Sequence, residues 1–129
     1  MSSSSRGVFD AEIQPLTKVL GVVLTIIGVA GFFSDGMLFL FAVDAIHNLI
    51  HVLSGLAALY AARSHHLSQW YLMVFGAVYF VVTLAGFLWD GNILGFFWTN
   101  RADDYLHAII AIAALVVSCS GNISLAKRR

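Results

Sequence analysis

VLGVVLTIIGVAGFFSDG, residues 19–36, returns as VFGAVYFVVTLAGFLWDG, residues 74–91. The shared positions, VxGxV, then AGF, then DG, recur at an offset of 55 residues. One residue of slippage follows, so that HVLSGLAAL from His51 meets HAIIAIAAL from His107 at an offset of 56. The pattern predicts two helical hairpins of common ancestry. Because the first helix of each copy would run in the same direction, the repeat is a parallel one, related by an axis along a membrane normal. The fold class expected is all-α, a four-transmembrane-helix bundle with pseudo-twofold symmetry.

Membrane location follows from composition and run length. Hydrophobic residues make up 60% of the 129-residue chain and charged residues 11%, against about 25% charged in a soluble domain. A bilayer core of roughly 30 Å takes about 20 apolar helical residues, since lipid offers no partner to a free amide. Four segments meet that need, at about 16–33, 44–63, 69–89 and 102–122. They form one transmembrane domain, 16–126, between a disordered lead-in, 1–15, that is Ser-rich at its start, and a basic tail, 127–129. Residues 1–33 also admit a signal-peptide reading, but no A-x-A cleavage site follows and the repeat argues against cleavage. Seven Lys and Arg balance seven Asp and Glu, which leaves no basic field for nucleic acid. Cys119, the single cysteine, has no intramolecular partner and reads as a small buried hydrophobe.

The charges orient the spans. Arg6, Lys18, Arg63, Lys127, Arg128 and Arg129 fall on one side, while Arg101 and five acids, Asp35, Asp44, Asp90, Asp103 and Asp104, fall on the other. Lys and Arg near span ends favour the cytoplasmic side. Both termini are therefore expected in the cytoplasm, with the chain in the cytoplasmic membrane. The inner loop, 64–68, is short, and its His65 and His66 read as solvated. The outer loops are greasy, MLFLFAV at 37–43 and ILGFFW at 93–98, and are expected to dip into the interface as amphipathic or irregular turns.

Small residues, such as Gly21, Gly28 and Gly31 in span one and Gly55, Ala58 and Ala61 in span two, fit close helix packing in lipid. What packing leaves unexplained is a polar stripe. Span two opens with Asp44, His47, Asn48 and His51, spaced i, i+3, i+4, i+7 and so on one helix face. The repeat equates them with Asn100, Asp103, Asp104 and His107. Polar groups within a membrane are costly and by default face the bundle interior.

Three readings compete. In the first, His47, His51 and His107, completed by Asp103 or Asp104, hold zinc, copper or iron, since two imidazoles one turn apart can reach a single ion. In the second, Asp44 and Asn100 cap their helices, and His47 and Asn48 bond to Asp103 and Asp104. That makes the cluster an interhelical staple in an accessory or assembly subunit. In the third, an oligomer conducts protons or ions along the stripe. Haem or chlorophyll on His51 or His107 would use the same imidazoles, without a flanking signature. No Gly-rich phosphate loop, nucleophile elbow, HExxH or CxxC occurs, so no enzymatic role is expected. The partners expected are the lipid bilayer and either other membrane subunits or further copies of the chain.

The stretch FAVDAIHNLIHVLSGLAALYAAR, residues 41–63, resembles a widespread bacterial family of small four-span membrane proteins classed as a domain of unknown function. The matching positions are Phe41, Val43, His47, Asn48, His51, Gly55, Ala58 and Leu59, with Ala42 where the family usually has glycine. The AGF of span three and the run from Asp103 to His107 are also similar, so the resemblance extends over about 17–115. It implies a fold and a membrane location, and it brings no activity, substrate or ligand.

Overall fold

The structure, a computed structural model, describes the backbone of residues 9–127 and the side chains of residues 9–120. The Ser-rich start and the last two arginines of the expected tail lie outside the described residues. A 3-10 turn, Asp10–Glu12, leads into helix α1, Ile13–Phe32, followed by a hairpin of β1, Met37–Leu38, and β2, Phe41–Ala42. Helix α2 spans Ala45–Ala61 and α3 spans His65–Leu88. A second hairpin, β3, Asn92–Ile93, with β4, Phe97–Trp98, precedes α4, Arg101–Lys127. Three helical stretches, Asp10–Phe32, His65–Leu88 and Arg101–Ser120, are long and apolar enough to cross a membrane, while the 17 residues of α2 are apolar but shorter.

Several boundaries differ from the sequence reading. Helix α1 starts at Ile13, within the expected lead-in. Pro15 then lies in the first turn, where its missing N–H costs nothing because those amides have no intrahelical acceptor. The side chain of Gln14 holds this start in place by donating to the Ala62 carbonyl at 2.7 Å. Helix α4 runs through 122 to Lys127, since no proline interrupts it. His65 opens α3 and sits 3.2 Å from Asp10 Oδ1, and Cys119 is exposed.

The two greasy loops, 37–43 and 93–98, are ordered antiparallel ladders, pairing Met37 with Ala42 and Asn92 with Trp98. Each follows an Asp-Gly step whose glycine has positive φ, 86° at Gly36 and 89° at Gly91, a region glycine enters without steric cost. Each is closed at its base by the same amide bond, Val43 N to Gly36 O at 3.0 Å and Thr99 N to Gly91 O at 2.8 Å.

Helix α1 packs chiefly on α2 and α3 chiefly on α4. In both pairs glycine permits the approach. A Cβ on Gly55 would fall 2.9 Å from the Gly21 carbonyl, and one on Gly76 would fall 2.7 Å from the Leu115 side chain. Gly31 lies against the side chain of Asn48 as Gly86 lies against that of Asp104. The hairpin bases and the glycine contacts thus recur at the offsets of the sequence repeat. Between the pairs, Leu20, Leu24, Leu72, Phe75, Ala111 and Ala114 form the core. Ile26, Val81 and Ile109 are among the many apolar side chains left more than 60% exposed, a surface that suits lipid better than water.

Helices α2 and α4 are capped in matching ways. Asp44 Oδ1 accepts from His47 N at 2.8 Å while its Oδ2 accepts from Trp98 N at 2.9 Å. Asn100 Oδ1 accepts from Asp103 N at 2.9 Å while its Nδ2 donates to the Leu40 carbonyl at 2.8 Å. Each cap therefore also ties its helix to the opposite hairpin. Asp44→Ala is expected to cost about 1–3 kcal/mol, a lost cap plus a lost bond to a charged acceptor. Reversible unfolding in mixed micelles, followed by circular dichroism, measures it; a change near zero would mean that water replaces both bonds.

Candidate metal centre

The Asp44 cap sets the start of α2, and the first two turns present His47 and His51 on one face. His107 comes from α4 in the other helix pair. All three rings are buried, with centroids 4.5 Å apart for His47 and His51, 5.7 Å for His47 and His107, and 6.3 Å for His51 and His107. One nitrogen from each lies within 4.8 Å of the others. Tetrahedral zinc on imidazoles at 2.0–2.1 Å would set those nitrogens about 3.4 Å apart. The rings must therefore turn toward one another to hold an ion. Phe97 stands 5.0 Å from the His47 ring and Tyr79 5.0 Å from the His107 ring, walling the cluster with aromatics.

Hydrogen bonding distinguishes this cluster from most of the other buried polar groups. At the opposite end of the helices, Gln69 donates to the Ser118 carbonyl at 2.9 Å, Ser68 to the Ala61 carbonyl at 3.0 Å and Thr17 to the Ile13 carbonyl at 2.8 Å. By contrast His47 Nδ1, His47 Nε2 and His107 Nδ1 are buried with no partner. The carbonyls of Ala42 and Trp98 lie near the His47 ring without hydrogen-bond geometry. Leaving such a group unpaired costs about 1–3 kcal/mol. A ligating His commonly directs its second N–H at a backbone carbonyl, and those of Ala42 and Trp98 are adjacent to this ring.

The two aspartates are engaged elsewhere. Asp103 Oδ2 accepts from Ala42 N at 3.1 Å and from Asn100 N at 2.9 Å. Asp104 accepts from Thr99 Oγ1 at 2.7 Å and from Arg101 Nη1 at 3.2 Å, while Arg101 also reaches Asp90. Only the histidines converge as candidate ligands among the described residues. The bonds from His47 and Asn48 to Asp103 and Asp104 that the sequence reading offered are not formed among them. Asn48 Oδ1 is instead buried and unpartnered.

A cavity of about 570 Å³ runs between α2 and α3 from the triad toward Ala57 and Tyr71. A smaller one, about 260 Å³, lies on the other side of His51 and His107 and includes Asp103.

A family model described as a domain of unknown function, DUF4383, matches residues 14–120. The chain belongs to this family. No curated protein and no solved structure matches it. The DUF4383 region contains all three histidines and both hairpins. Within it, sequence reasoning missed Tyr79, Phe97 and Thr99 as neighbours of the polar cluster. Tyr79 had a faint signal, because it stands where the first copy of the repeat has Leu24. Arg101, which pairs with buried Asp104, likewise stands where the first copy has Ala45.

Proposed function

We propose that this chain is a non-enzymatic metal-binding protein of the cytoplasmic membrane, in which His47, His51 and His107 hold a zinc, copper or iron ion across the seam between two helix pairs. The observation that carries the reading is the convergence of three buried imidazoles, two of which, His47 and His107, hold buried nitrogens without a partner, in a chain whose other buried polar groups largely find carbonyls or amides. Three neutral nitrogen donors suit these metals and leave a fourth position open. Asp103 and Asp104 serve the ion indirectly, by fixing the start of α4 and the hairpins around it.

The proposed architecture is a four-span bundle derived from a duplicated hairpin. Recurrence of the hairpin bases and glycine contacts at the repeat offsets supports the duplication. Helix α2 covers only about 25 Å at 1.5 Å per residue, and local thinning of the bilayer with the adjacent hairpin seated in the interface would let it span. In a Cys119→Ser background, Arg129→Cys is expected to react with a membrane-impermeant maleimide only from the cytoplasmic side, and Phe96→Cys only from the outside. The reverse pattern would invert the topology.

The test of function is metal content after purification in mild detergent, beside a variant with all three histidines changed to Ala. Near-stoichiometric metal that disappears in the variant is expected. A metal-free wild type that takes up none of the three ions when they are supplied would overturn the reading. The exposed hairpin tips favour a second reading, an accessory subunit, since Phe39 is 87% and Leu40 72% exposed. Cross-linking in native membranes to one discrete heterologous partner would support it.

A further inference from the structure

We propose that the cavity between α2 and α3 receives the alkyl chain of a long-chain carboxylate, drawn from the membrane, whose head group takes the open position on the metal. This rests on the metal reading above. The shape comes first. The cavity is lined on α2 from His47 to Ala57 and on α3 from Val82 to Tyr71, about 15 Å along either helix at 1.5 Å per residue. Its volume of about 570 Å³ falls within the usual range for small-molecule sites, roughly 300–1,000 Å³.

Polarity is concentrated at one end, with Ser54 and Tyr79 the other polar side chains along the wall. The three imidazoles stand at the outer end, whereas at the inner end the Tyr71 hydroxyl is already donated to the Ser54 carbonyl at 2.8 Å. Between them the wall is Ile50, Leu53, Val74, Phe75, Val78 and Val82. A long apolar slot with one ligating end fits an amphiphile with a single head and a single chain. Charge then selects the head. No Lys, Arg, Asp or Glu lines the cavity, so a divalent ion on three neutral imidazoles keeps a charge of about +2 among apolar walls. An unneutralised charge in such surroundings is strongly disfavoured, which makes an anion the preferred fourth ligand. Leu53, Val74 and Val78, all exposed, form the mouth between the helices. It opens on the flank that faces lipid in the proposed bundle, so the ligand arrives sideways from the bilayer.

The experiment uses the full chain in nanodiscs of neutral lipid, loaded with Co²⁺, whose visible absorption reports changes in its ligands. Laurate is expected to shift the bands at concentrations at least about 100-fold below acetate, because its chain leaves water for the cavity, and methyl laurate is expected to leave them unchanged. Val78→Trp, which blocks the mouth, should retain cobalt affinity and the acetate response while the laurate advantage falls below about tenfold. Ala57→Phe, which shortens the slot from its inner end, should move the preference from laurate toward octanoate. Equal responses to laurate and acetate in the wild type would overturn the inference while leaving the metal site standing. So would an advantage that neither variant alters, or an equal shift from methyl laurate. Failure of the wild type to bind cobalt would overturn the inference, and failure to bind zinc, copper and iron as well would overturn the metal reading with it. A change in oligomeric mass in Val78→Trp, with laurate preference intact, would assign the groove to contact between copies and overturn the inference as well.

Discussion

Metal-stripped His47→Leu is expected to unfold no more easily than the metal-stripped parent and to lose the stabilisation that zinc confers. Both nitrogens of this ring are buried without partners, and each such group costs about 1–3 kcal/mol. Leucine removes that cost and introduces a shape mismatch worth less than about 1.5 kcal/mol. The apo variant should therefore be at least as stable as the parent, and more stable by up to several kcal/mol. Zinc acts in the opposite direction. An ion supplied at 100 times its Kd adds about 2.7 kcal/mol to a folded state that binds it, on the order of a 10 °C rise in Tm for a chain of this size. The parent should show that rise and the variant should not, in thermal unfolding followed by circular dichroism in detergent. If the apo variant were several kcal/mol weaker and the parent indifferent to zinc, the imidazole would be a packing element.

The second large effect is expected at Gly55. A Cβ there would meet the side chain of Thr25, approach the Thr25 amide to 2.6 Å and approach the Gly21 carbonyl to 2.9 Å. Two of these are backbone atoms, which cannot swing aside as a side-chain tip can. Gly55→Val should thus force α1 and α2 apart and cost about 3 kcal/mol or more, read from denaturation in increasing sodium dodecyl sulfate. His51 lies one turn before Gly55, so metal uptake should fall with stability. Gly95→Ala is the control. Its φ of 81° strains alanine, but no atom lies within 4 Å, and a cost of about 1 kcal/mol is expected. Equal losses at the two positions would mean that helix approach at Gly55 relaxes freely.

The helices were legible because the repeat and the apolar runs agree, and His47 and His51 because their spacing puts them on one helix face. The aspartates were misleading for a physical reason. By the repeat, Asp103 is the counterpart of His47, which invites a shared role, yet a carboxylate near a helix start has unpaired amides at hand. Asp103 takes that of Asn100, together with the amide of Ala42 in β2. Symmetry of descent therefore did not carry over into symmetry of chemistry. The hairpins escaped notice because MLFLFAV and ILGFFW show no alternation of polar and apolar residues, the main mark of a strand. Their mark was the Asp-Gly step, which reads equally well as a plain helix stop. The early start of α1 was hidden by Pro15, which suggests a boundary although the first turn tolerates it.

His47 and His51 belong to one tightly packed helix pair and His107 to the other. During synthesis the first pair emerges from the ribosome and can settle against itself while the second is still untranslated. For that interval the nascent chain carries two thirds of its imidazole cluster, facing a neighbour that does not yet exist. The cluster closes only when residue 107 has entered the membrane, so its completion marks the arrival of the final helix. A chain truncated after α3 would keep His47 and His51 and never assemble the triad.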